Sequence, residues 1–288
     1  MDDDPVLLEV KGGVAVLSLN LPDKHNAMAD AVDALFFRYL DLLRSDRDVR
    51  VVVWRGNGPS FSAGRDMADL LGDEAQDADV AGDHDDTGPG GRPLRPRASR
   101  HGFGASDFEV LDRGHWGTRL LYDFPVPIIC ALKGWTLGTS FERALLCDIR
   151  VAAEDTKLAL ASAEHGVIPD SAGVAKLYEI GGSALALDLA VTGRMIDAHE
   201  ALRLGLVSQV VPDDELDDVV LELAHSIAAR PPLVVRLVRE HVQGLALAGV
   251  RGTLGRELVG QTMVLASHDF HEQHRARAED REPRYQRR

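Results

Sequence analysis

Apolar and polar positions along the chain follow two rhythms. Residues 12–20 (GGVAVLSLN) run apolar behind two glycines and predict a strand. Residues 29–46 (ADAVDALFFRYLDLLRSD) carry apolar side chains at helical spacing, with acids on the other face. VRVVVWRG (49–56) is β-branched and nearly all apolar, as expected of a strand covered on both sides. The loop NGPSFSAGRDM (57–67), rich in Gly, Pro and Ser, follows it. A helix is predicted over 106–124, a buried strand over 126–134 (VPIICALKG) and a mostly apolar helix over 137–148 (LGTSFERALLCD). Strands at 149–154 and 156–161, a loop at 162–173, helical segments around 174–204 and a strand at 206–211 come next. From 212 onward the pattern is helical, broken at Pro231–Pro232, with a frayed tail over 274–288.

Two regions depart from this pattern. Residues 72–105 are first acidic and then Pro-, Gly- and Arg-rich, with few large apolar residues. Such a segment cannot bury enough surface to offset its ordering entropy, so it is expected to be a mobile insertion. The C-terminal helices, in contrast, are more apolar than a lone surface layer requires, which predicts packing against another subunit. The expected organisation is a core over 1–212, with the insertion, and a helical region over 213–288.

Composition narrows the classes. With 288 residues, 45% of them hydrophobic, the chain can bury a sizeable core. A formal net charge of −14 argues against a general nucleic-acid or anionic-membrane binder. Cys130 and Cys147 sit in apolar runs and are expected to be free thiols. The start MDDDPVLLEV is acidic where a secretion signal is basic, and no apolar stretch approaches the roughly eighteen residues of a membrane span. A cytoplasmic protein is expected.

The chemistry turns on one question. A core helix seldom accepts an ionised group without a partner or a task, yet LGTSFERALLCD carries Glu142 and Arg143. SFSAGRD and GWTLGTS each follow an apolar strand at a glycine turn. The second opens a helix, where orphan N–H groups favour negative charge. Two such donors converging on one oxygen make an oxyanion hole; tight turns without a ligand are the alternative. Glu142, one turn into that helix, is placed to act as acid or base on a neighbouring carbon or water, or else to pair with Arg143. His268, His271 and His274 are spaced i, i+3, i+6, but the third drifts off the helical face and no metal site is expected.

These segments resemble the enoyl-CoA hydratase/isomerase, or crotonase, superfamily. NLPDKHNAM (20–28), PSFSAGRDM (59–67), the long run 126–160 through CDIRVAA, HGVIPDSAG (165–173) and VTGRMIDAHEALRLGLVSQVV (191–211) carry the resemblance. It implies an α/β fold: a crotonase-like spiral of ββα units with a C-terminal helical oligomerisation region, assembled as a homotrimer or dimer of trimers. It also implies an acyl-CoA substrate, with no cofactor apart from the coenzyme A of that substrate, and neither a nucleic-acid nor a membrane partner. The thioester oxygen would meet the backbone N–H groups of Arg65 and Thr139, the latter replacing the usual glycine. Lys24, His25, Ala27, Ala63, Asp66, Met67, Trp135 and Gly138 would lie along the substrate.

Hydratases of the family use two glutamates. Glu142 matches the first, but Ser162 stands at the position of the second, with Glu164 two residues later. Asp170 matches a position where some isomerases of the family place an acid, and PDSAG resembles a dehydratase-type segment. Asp170 is alternatively a helix cap. The resemblance therefore implies hydration of a 2-enoyl-CoA or its reverse, with double-bond isomerisation through Glu142 and Asp170, or acyl-CoA binding without turnover, as alternatives.

Overall fold

In the computed structural model, which describes residues 4–66, 87–88, 92–93 and 105–284, Gly12 and Gly13 turn a strand instead of opening one. Their φ values of +59° and +81° suit the two-residue hairpin turn that matches strand twist. The turn joins β1 (Val6–Lys11) to β2 (Val14–Leu19) with Lys11 opposite Val14. The strand expected over 12–20 is thus β2 alone. β1 went unread because VLLEVK shows neither clean alternation nor full burial. The expected insertion lies outside the described residues, apart from an antiparallel pair of short strands, β4 (Thr87–Gly88) and β5 (Arg92–Pro93).

β2 pairs in parallel with β3 (Val51–Gly56), and the sheet continues through β6 (Ile128–Leu132), β8 (Ile149–Ala153) and β11 (Gln209–Val211) in the order β1-β2-β3-β6-β8-β11. Alternation across β3 shows why its run is apolar throughout. Val51 and Val53 face α6 (Leu216–Ala228), which contributes Leu216, Val220 and Ala224. Val52 and Trp54 face the opposite layer. There α1 (Asp30–Ser45), α2 (Ala105–Tyr122) and α3 (Thr139–Leu146) insert Phe36, Leu121 and Phe141, all fully buried. Each such side chain contributes roughly 1.5–3 kcal/mol, so this layer fixes where α3 can sit.

A second, smaller sheet carries β10 (Ile196–Asp197), β9 (Lys157–Ala159) and β7 (Trp135–Leu137) in that order. The chain spirals: β6 enters the large sheet, β7 the small one, and α3 follows. β8 and β9 then repeat the move before α4 (Gly173–Thr192). A bridge between Ser62 and Thr136 lays the loop after β3 alongside β7, as the preceding turn of the same spiral. The helix expected from 137 therefore begins at Thr139, because Leu137 belongs to β7 and Gly138 turns at φ +52°. The helical stretch expected at 174–204 is α4 and α5 (Ala198–Arg203), parted by β10, and the strand expected at 206–211 is shortened to β11.

Pro232 opens α7 (Pro232–Leu265), where its missing N–H costs nothing. α8 (His268–Ala278) is capped by Ser267, whose hydroxyl accepts the Phe270 N–H at 3.1 Å. The tail is not frayed up to residue 284: the Arg281 guanidinium and the Arg284 N–H both bind the buried Glu272 carboxylate. Cys130 and Cys147 are free and buried. No described helix is long and apolar enough to cross a membrane.

Candidate active site

The spiral brings two loops edge to edge. Ser62 N–H donates to Trp135 O at 2.9 Å, and Leu137 N–H returns to Ser62 O at 3.0 Å. Gly64, at φ +90°, is held so close that a Cβ would lie 2.5 Å from Leu137 O; only glycine fits there. Beneath them, Ser140 Oγ donates to Ser62 Oγ at 2.5 Å, while Ser62 Oγ accepts the Gly64 N–H and donates to Asn26 O. Residues 64–65 and the start of α3 are therefore neighbours. Thr139 is the first residue of that helix, so its N–H has no intrahelical acceptor.

Glu142 is 1% exposed. Its partner is not Arg143. Oε2 accepts the N–H groups of Ser171 at 3.0 Å and Gly173 at 3.1 Å. Burial, and then the negative charges of Asp170 and Glu257, hold its pKa well above the usual carboxylate range, against those two N–H bonds. Arg143 instead makes a two-pronged pair with Asp33 of α1, at 2.7 and 2.9 Å, and lies over the Phe37 ring. Arg65 binds Asp30 and also faces Asp33. One buried and one half-buried cation, Arg143 and Arg65, are thus paired with acids of α1 at the foot of the site.

Asp170 sits on the loop before α4, with a fifth of its side chain open to solvent. Burial raises its pKa, but His115 of α2, with Nε2 4.0 Å away, and then Arg143 and Arg65 oppose the rise. The two acids consequently sit in different fields. The charges near Glu142 are negative, whereas Asp170 faces His115, Arg143 and Arg65 as well as the two glutamates. Such a pair separates its proton affinities into an acid and a base. The cap alternative has no support in the hydrogen bonding: α4 starts after Ala172, and no side chain caps it.

Glu257 was not expected from the sequence. It is 6% exposed on α7, accepts the Ala172 N–H at 2.9 Å, and burial pushes its pKa up to about 7. His115, 3% exposed, was also missed, as was Asn26, whose side chain binds Asn57 O, Ser60 O and Leu21 N–H and so pins the loop before Phe61. An acid inside the apolar run LGRELVG was a readable sign of Glu257. His115, in DRGHWG, had none.

The remaining expected residues spread along one edge. His25, at φ +48°, stacks on the half-exposed Trp135 at 4.5 Å and meets Ser60 Oγ through Nδ1. Ala63 N–H donates to His25 O, and Asp66 N–H to Met28 O. Lys24 is exposed, Ala27 is half-buried beside it, and Gly138 turns the chain into α3. Met67 lies outside the described residues. Ser162 is buried, whereas Glu164 is exposed and lies against Gly193. His271 and His274 pack on Phe270, and among the described residues no group of His, Cys, Asp and Glu is arranged to hold a metal ion.

The sequence and the fold have parallels among known proteins. A family model described as enoyl-CoA hydratase/isomerase matches residues 9–87 and 107–288. The chain is 31% identical over 277 residues to carnitinyl-CoA dehydratase of Salmonella agona, covering 94% of each chain. An enoyl-CoA hydratase/isomerase from Pseudoalteromonas atlantica superposes with a TM-score of 0.80 at 26% identity, over 98% of this chain and 100% of that one. An enoyl-CoA hydratase subunit from Geobacillus kaustophilus superposes at 0.70 with 27% identity, over 99% of both. The chain belongs to the enoyl-CoA hydratase/isomerase family, within the crotonase superfamily of acyl-CoA-processing enzymes.

Proposed function

We propose that the protein removes water from a 3-hydroxyacyl-CoA, or adds it to the 2-enoyl-CoA, through an enolate held by the N–H groups of Arg65 and Thr139. The observation that carries this reading is the carboxylate pair of the buried Glu142, with negative charges near it, and the partly exposed Asp170, which also has His115, Arg143 and Arg65 around it. The pair holds one proton, which resides on Glu142. In dehydration Asp170 takes the proton from C2, and the electron pair moves onto the thioester oxygen. The pair then returns to form the C2–C3 double bond as the C3 hydroxyl leaves with the proton of Glu142. Hydration runs the same steps backwards. Asp170 thereby serves where the family's second glutamate is replaced by Ser162. The dehydratase name of the 31%-identical relative supports the same reaction class.

The same pair supports a second reading. Without a second glutamate to hold water, Asp170 and Glu142 could pass a proton between C2 and C4 and shift a double bond. The test is direct. Purified protein that removes the enoyl absorbance of crotonyl-CoA fits the hydro-lyase. Protein inert there but able to conjugate a 3-enoyl-CoA fits the isomerase. Inertness on both, with CoA thioester binding retained, fits a binding protein. The exposed apolar row Leu233, Val234, Leu237, Val238 and Val242 on α7 supports self-assembly as a trimer or dimer of trimers.

A further inference from the structure

Three consecutive backbone N–H groups before α4 divide between two buried acids. Those of Ser171 and Gly173 point to Glu142 on α3, and that of Ala172, between them, points to Glu257 on α7. The division requires Ala172 to turn at φ +62°, a left-handed conformation that a residue with a Cβ adopts only when its surroundings impose it. Glu257 supplies the hydrogen bond that imposes it. One turn further along the same face of α7, the buried Gln261 accepts the Ile168 N–H at 3.1 Å, and Gly260 comes so close to Ile168 that a Cβ would meet its Cδ1 at 2.8 Å. α7 thus grips the loop that carries Asp170 at two points. Glu257 uses only one of its oxygens for this: Oε1 is buried with no hydrogen-bond partner among the described residues.

We propose that Glu257 is a positioning residue of this site, which sets the backbone that holds Glu142 and Asp170 and, by its charge, keeps the proton on Glu142. The proposal rests on the reading of Glu142 as the acid. The groups facing Glu142 are Asp170 from the loop before α4 and Glu257 from α7, together with the two N–H donors. Those facing Asp170 are His115 from α2, Glu142 and Arg143 from α3, Arg65 from the loop after β3 and Glu257 from α7. Glu257 and Asp170 are the acids that raise Glu142, and only Glu257 is outside the proposed proton transfer. Its side chain accepts one backbone bond and repels two neighbouring carboxylates, Glu142 and Asp170, and the two functions separate by substitution.

The test compares Glu257→Gln and Glu257→Ala in the dehydration direction, with circular dichroism to verify folding and Glu142→Gln as a control. The glutamine keeps an acceptor for Ala172 N–H but removes the charge. Glu142 then ionises earlier, and the basic limb of the kcat/KM profile moves down by about one pH unit. The alanine also frees the Ala172 N–H, and kcat falls at least tenfold further than in the glutamine variant, with KM nearly kept. A glutamine variant whose basic limb stays in place, or an alanine variant no slower than it, overturns the proposal. Glu142→Gln at wild-type speed sinks the underlying reading of the acid; an inactive Glu142→Gln beside an unmoved Glu257→Gln profile sinks the role of Glu257 alone.

Discussion

Gly173 leaves room for Glu142. A Cβ at residue 173 would lie 2.5 Å from Glu142 Cγ and 2.9 Å from its Oε2. The first turn of α4 and the carboxylate of α3 are therefore fitted to each other, and Gly173→Ala must push Glu142 aside. A misplacement of about 1 Å can cost about a hundredfold in rate. We expect kcat of Gly173→Ala to fall by roughly that factor while the folded helix content is kept. A variant as fast as the wild type would show that the position of Glu142 does not matter.

Glu142→Gln keeps the two N–H bonds to its side-chain oxygen and loses the transferable proton. Turnover is expected to fall by about 10²–10⁴, the usual range for general acid–base groups. Binding of a CoA thioester, measured by calorimetry, should remain near that of the wild type.

Asp33 and Arg143 bind each other inside the protein, and among the described residues neither has another opposite charge as close; Arg65 approaches Asp33 only to 3.9 Å. Breaking a buried pair from one side leaves an uncompensated charge and costs about 3–5 kcal/mol. Arg143→Met should lower the free energy of unfolding in urea by about that amount. A loss below 1 kcal/mol would mean that the pair is solvated.

Stability also bears on Glu257. Its pKa rises from 4.5 to about 7 on folding, so folding favours the protonated form. That contribution is complete below about pH 4.5 and declines as pH rises through 7. Glu257→Gln, which cannot ionise, is therefore expected to be more stable than the wild type at pH 8, by at most about 3 kcal/mol. The two should converge near pH 4. Parallel stability curves for the two proteins across this range would contradict the assignment.

Much of this architecture was legible in the chain. β3 and β6 are continuous apolar runs because both faces of the sheet are covered, and α1 shows its apolar face plainly. Glu142 is legible because an acid does not enter an apolar helix without cause. Other features depend on information a local pattern does not carry. β7 and β10 have three and two residues, too few for a period. Arg143 and Asp33 are 110 positions apart, so nothing near Arg143 names its partner. The turn at Ala172 is hidden most completely, because an alanine gives no sign of a positive φ. That turn is imposed from outside, by Glu257 at a separation of 85 residues.

In the proposed reaction the N–H of Thr139 stabilises the enolate oxygen and Asp170 moves the C2 proton. It is tested by exchange of the C2 hydrogens of butyryl-CoA in deuterated water, followed by proton NMR. Thr139 is the first residue of α3, where proline is tolerated; proline removes the N–H, and Thr139→Gly controls for the lost side chain. Exchange is expected from the wild type and from Thr139→Gly. A loss of about 10²–10³ is expected in Thr139→Pro, the usual cost of one oxyanion donor, with Asp170→Asn likewise depleted. Undiminished exchange in folded Thr139→Pro, or none in the wild type, would contradict it.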